Sequence, residues 1–160
     1  MILEHIPGQV KFLVCVDASE ECKAALKFAC MRAKNSNGLV LILYVVEPND
    51  MQHFAGVEKV MEREADEEAE RVLSELQTET FQEFAIEIEK RISYGYKYTS
   101  IVDLINEDKS ISILVLGAAP EGKGTNELIN KFSTGLTNSI HIPLTIVPGN
   151  LNNDEIKKIT

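Results

Sequence analysis

Two uninterrupted apolar runs punctuate the first third of the chain, Phe12 to Val16 closed by Asp17 and Leu39 to Val46 closed by Glu47-Pro48. Runs of this length without polar alternation predict strands covered on both faces, the mark of a parallel sheet. Between them Cys22, Ala25, Leu26, Ala29 and Cys30 recur at helical spacing, and Asn35-Ser36-Asn37-Gly38 ends the stripe. Strand, helix and parallel strand make a βαβ unit. Beyond Gly56, the positions Val57, Val60, Met61, Ala65, Val72, Leu73 and Leu76 predict a long helix, with the acidic stretch Glu62 to Glu70 on its solvated face.

A third strand is expected around Ile86, Ile88 and Ile92, where Glu87 and Glu89 alternate with apolar positions as on a half-exposed edge. Ser100-x-x-Asp103 has capping-box spacing and predicts a short helix with Ile101, Leu104 and Ile105 inward. Ile111 to Leu116, ending at Gly117, forms a fourth buried strand. A Gly-rich loop and a short helical segment follow, then a fifth strand at Leu144 to Val147. The expected fold is an α/β domain over residues 1–150, an open five-stranded parallel sheet with helices on both faces. Gly149 onward reads as a polar tail, residues 151–160 lying outside the domain.

Composition narrows the partners more than the activity. With 25 acidic and 16 basic side chains the formal charge is -9, which repels phosphate backbones and anionic lipid surfaces. Neither nucleic acid nor a membrane is an expected partner. No stretch approaches the ~20 apolar residues of a membrane span and the N-terminus lacks a basic leader, so a cytoplasmic protein is expected. Cys15, Cys22 and Cys30 are odd in number, lack C-x-x-C spacing and fall at apolar positions, which predicts buried reduced thiols. His5, His53 and His141 show no i,i+4 pairing, so no metal site is expected.

Four segments in order, Val14-Cys15-Val16-Asp17-Ala18-Ser19, Tyr44-Val45-Val46-Glu47-Pro48, Leu114-Val115-Leu116-Gly117 and Ile142-Pro143-Leu144-Thr145-Ile146-Val147-Pro148, resemble the universal stress protein family over nearly the whole chain. The resemblance implies a Rossmann-like sheet of order 3-2-1-4-5 with a crevice between strands one and four, at the point where strand order reverses. It implies nucleotide roles for Asp17 on the ribose or adenine, with Ala18 beside it in the nucleotide site, for Val45 and Val46 on adenine, and for Gly117, Gly122, Gly124, Ser133 and Thr134 in a phosphate loop. It also implies homodimer pairing through Leu144, Thr145, Ile146 and Val147.

The chain departs from the family's G-x-x-G-x9-G-[ST] loop. Pro120 stands at the second glycine, and the closing pair is reversed as Ser133-Thr134-Gly135. A phosphate cradle needs free backbone N–H groups, and proline supplies none. Glu121, Lys123, Glu127 and Lys131 leave the loop region without excess cation.

Each candidate also has a plainer reading. Asp17 can cap the first helix in a D-x-x-E box with Glu20, and the two roles are compatible. Gly122 and Gly124 fit a surface loop, and Ser19, Ser133 and Thr134 fit capping or solvent exposure. Tyr94, Tyr96 and Tyr98 fit the rim of the core better than a base stack. No nucleophile elbow, P-loop or dinucleotide fingerprint is present, and a phosphoacceptor receiver domain would need paired acids where only Asp17 stands. The expected function is therefore a non-catalytic, dimeric stress-response or regulatory protein that contacts an unidentified protein partner and requires no cofactor. The alternative is a sensor that binds ATP or AMP.

Overall fold

The computed structural model describes residues 6, 8–48 and 58–160, except for the side chains of residues 58–61 and 135–139. Val57, His5 and His53 lie outside the described residues, as do the side chains of Val60 and Met61. The elements run β1 (Lys11–Val16), α1 (Glu20–Ser36), β2 (Leu39–Val46), α2 (Glu58–Phe84), β3 (Glu89–Tyr94), α3 (Lys97–Glu107), β4 (Ile113–Ala118), α4 (Glu127–Ser139), β5 (Leu144–Pro148) and α5 (Asn153–Ile159).

The strands form one sheet of order β3-β2-β1-β4-β5, and every neighbouring pair is parallel. β1 is central, with Phe12 opposite Val40 on one side and Ile113 on the other. Because side chains alternate along a strand, its apolar run divides between two cores. Phe12, Val14 and Val16 join Val40, Ile42, Val115 and Val147 under α1 and α2, whereas Leu13 joins Leu41, Leu43, Leu114 and Leu116 under α3 and α4. Two-sided burial is why β1, β2 and β4 carry no polar alternation.

The sheet edges differ. β3 has the burial pattern of a half-exposed strand, and it begins at Glu89, so Ile86 and Ile88 precede it. Ile88 still packs into the core. α3 opens at Lys97, and its N-cap, Tyr96, makes no side-chain hydrogen bond. Ser100 therefore lies inside the helix, and the Ser100-x-x-Asp103 spacing is not a cap; Ile101, Leu104 and Ile105 point inward as expected.

The expected polar tail is a helix. Asn152 and Glu155 form a reciprocal capping box at the start of α5, and Ile156 is buried. Lys27 Nζ donates to Asn153 Oδ1 and Asn35 Nδ2 to the Thr160 carbonyl, which fasten α5 along α1.

Candidate functional site

The chain leaves β1 for β2 on one side and returns as β4 on the other, so the loops after β1 and β4 part company. Between them lies a crevice of about 320 Å³, at the small end of the ~300–1,000 Å³ typical of ligand sites. Cys15, Leu116, Leu128 and Ile129 contribute apolar lining, and Tyr96 and Tyr98 stand at its α3 side. Tyr98 packs on Phe132 with ring centroids 4.7 Å apart, and Lys131 Nζ lies 5.1 Å from the Tyr98 ring centre.

Charge gathers at the mouth. Asp17, Glu21, Glu47 and Glu127 line the crevice against Lys97 and Lys131, a formal excess of two negative charges. Lys97 Nζ reaches Asp17 Oδ2 at 3.6 Å and Glu47 Oε1 at 3.8 Å. Burial pulls the Lys97 ammonium down, but the facing Asp17 and Glu47 outweigh it and leave its pKa raised. Burial pushes the Cys15 and Cys30 thiols up to about 12, and Cys22 is raised by the same cause. Among the described residues no cluster of His, Cys, Asp and Glu could hold a metal ion.

Local hydrogen bonds engage the backbone on both sides of the crevice. Ser19, not Asp17, caps α1: its Oγ accepts from Cys22 N at 3.3 Å. Asp17 instead accepts from Ser19 N at 2.8 Å through Oδ1, and Asp17 N donates to Cys22 Sγ. Across the crevice Ala119 N donates to Asn126 Oδ1 at 2.8 Å, Asn126 Nδ2 returns to Ala119 O at 3.4 Å, and Lys123 N donates to Pro120 O at 3.0 Å. The side chain of Asn126 thus closes the loop on itself.

Of the expected nucleotide residues, the fold brings Asp17 and Gly117 together on the crevice lining. Ala18 is exposed, and Val45 and Val46 are buried at the end of β2, where Val46 O accepts from Gly95 N at 3.0 Å. Gly122 and Gly124 sit in the exposed loop outside the lining, Gly122 with φ 77°. Ser133 and Thr134 are exposed on α4, and Thr134 Oγ1 donates to Asn130 O at 2.9 Å within the helix. Of the tyrosines, Tyr98 packs against the core as expected, while Tyr94 and Tyr96 are exposed. Lys97 and Asn126 escaped the sequence reading. Lys97 comes to the site only through tertiary folding, and Asn126 lies in a loop with no periodicity to mark it.

Leu144, Thr145, Ile146 and Val147 form β5, which hydrogen-bonds to β4 at an edge of the sheet. Val147 is buried and Ile146 is 43% exposed. No helix among the described residues is long and apolar enough to cross a membrane.

No curated protein matches the chain. Solved structures do. A universal stress protein from Lactobacillus plantarum is 21% identical, with 86% of this chain and 97% of that one covered at a TM-score of 0.67. One from Arabidopsis thaliana with AMP bound is 20% identical, with 91% and 94% covered at 0.61. One from Archaeoglobus fulgidus in complex with dAMP is 14% identical, with 89% and 99% covered at 0.58. These likenesses establish the fold. The model of the universal stress protein family matches residues 10–148, the whole of the sheet, and with the order β3-β2-β1-β4-β5 it shows that this chain belongs to the universal stress protein family.

Proposed function

We propose that the protein is a homodimeric, non-catalytic stress-response regulator of the cytoplasm, acting through contact with a protein partner and not depending on ATP. One observation carries the reading: donors that a triphosphate would need are engaged within the chain. Ala119 N and Lys123 N bond inside the loop, Cys22 N bonds to Ser19, and Pro120 has no N–H. Transferring such donors to a ligand sacrifices existing bonds, so the net gain per contact falls below the ~0.5–1.5 kcal/mol of an ordinary hydrogen bond. The surplus of carboxylates at the mouth acts in the same direction. Dimerisation rests on β5, an edge strand without charged side chains whose Ile146 faces solvent.

Calorimetry with Mg-ATP tests the reading. No binding at low-micromolar affinity is expected; a tight, stoichiometric isotherm would overturn it. The second reading, a sensor for ATP or AMP, draws on relatives solved with AMP and dAMP and on Asp17, an acceptor suited to a ribose hydroxyl. Under that reading Asp17→Ala weakens binding.

A further inference from the structure

The geometry points to Glu21 as a residue that turns phosphate ligands away from the crevice: its carboxylate lies on the lining next to the Gly-rich loop. The inference rests on the reading that this crevice does not depend on ATP, and it names one side chain that contributes to the exclusion beside the engaged donors.

Three glycines gather around this one residue. A methyl group on Gly117 would collide with the Glu21 carbonyl oxygen, so β4 ends directly against the first turn of α1. A methyl group on Gly149 would meet the Cβ of Glu21, with its Cα 2.8 Å away. From the loop, a methyl group on Gly124 would lie 3.8 Å from Glu21 Oε1. Gly117 and Gly149 thus pack against the backbone and Cβ of Glu21, and only Gly124 approaches its carboxylate, which stands beside the loop on the crevice lining. Glycine allows backbone to come close to an anion. Here the carboxylate nearest Gly124 is that of Glu21.

A phosphate entering beside the loop would meet the Glu21 carboxylate at short range, and the two like charges repel. Glu20 offers a comparison. It carries the same charge one residue earlier on α1, is exposed, and does not line the crevice. A general effect of charge at the helix start predicts equal consequences for both residues. A charge placed beside the loop predicts a consequence for Glu21 alone.

The experiment titrates AMP into the full-length wild type, Glu21→Gln and Glu20→Gln by calorimetry, with thermal melts to confirm folding. Gln keeps the packing against Gly149 and removes only the charge; Glu21→Ala serves as a second variant should Gln still obstruct. Glu21→Gln or Glu21→Ala should bind AMP at least about tenfold more tightly than wild type, and Glu20→Gln should stay within about threefold. Equal gains at both positions, or no AMP binding by any folded Glu21 variant, would overturn the role of Glu21 and leave the ATP-independent reading standing. Tight AMP binding by the wild type would instead refute the premise that the crevice excludes phosphate, and the role of Glu21 with it.

Discussion

Lys97 Nζ stands 3.6 Å from Asp17 Oδ2, joining the start of α3 to the loop after β1 across the mouth of the crevice. The second carboxylate, Glu47, lies 3.8 Å from the same ammonium. Lys97→Met removes the ammonium that these two acids share. Because both partners of the Asp17 pair keep about a third or more of their side-chain surface exposed, the expected cost is only about 0.5–1 kcal/mol in urea unfolding at pH 7. The folded-state pKa of Lys97 is raised, so its contribution is complete below the unfolded value of ~10.4 and fades as pH rises beyond it. Equal stability of the variant and the wild type at neutral pH would mean that the pair contributes nothing.

Gly117 and Gly122 separate two uses of glycine. At Gly117 the obstacle is the backbone of Glu21, which cannot rotate away, so Gly117→Ala should cost about 3 kcal/mol through overpacking. At Gly122 a methyl group meets nothing within 4 Å, but φ is 77°. Gly122→Ala should therefore cost about 1 kcal/mol, from left-handed backbone alone. Chemical denaturation of the two variants checks the ranking, and a reversed order would contradict the close approach of β4 to α1.

At the opposite end of the sheet, Lys11 is only 5% exposed and its ammonium lies 2.8 Å from Asp108 Oδ2 and 3.3 Å from Glu89 Oε2. Asp108→Ala leaves that charge with Glu89 as its remaining carboxylate in the pair of bridges. The expected loss is about 2–3 kcal/mol, short of the ~3–5 found when a buried charge loses its sole partner. Burial pushes the Asp108 carboxyl up, but hydrogen bonds from Lys11 and Ser110 hold it below the usual range. A depressed folded-state pKa contributes stability above the unfolded value of ~4 and loses it as pH falls further. Wild type and Asp108→Asn should thus differ at pH 6 and converge in strong acid, as followed by circular dichroism. A difference that persists unchanged into strong acid would deny the carboxylate this role.

If the protein pairs through β5, Ile146→Lys places one charge from each chain across a two-fold contact. Light scattering at micromolar concentration should then show the variant shifting from dimer towards monomer. A wild type that is monomeric under those conditions removes the basis of the proposed assembly.

The sheet was more legible in the sequence than the crevice, for a physical reason. Strands such as Leu39–Val46 are buried on both faces, so their burial is written as consecutive apolar residues. The crevice is built from contacts between distant segments, and nothing local marks Lys97 as the partner of Asp17. At α1, Asp17 and Ser19 were both chemically able to cap, and spacing could not choose between them; the Asx turn from Asp17 to Ser19 N leaves the cap to Ser19. α5 has one buried side chain, Ile156, too few to show a stripe. Asn152-x-x-Glu155 was nevertheless a readable start signal.

The hydrogen bond from Asn35 to the Thr160 carbonyl fixes a practical geometry. Asn35 and Ser19 stand at opposite ends of α1, separated by about 24 Å at 1.5 Å per residue. A dye, affinity handle or surface tether joined after Thr160 would leave from the end of α1 remote from Asp17 and Lys97. Immobilisation through that point would present the crevice to solution, so affinity measurements on a tethered sample would report an unobstructed mouth.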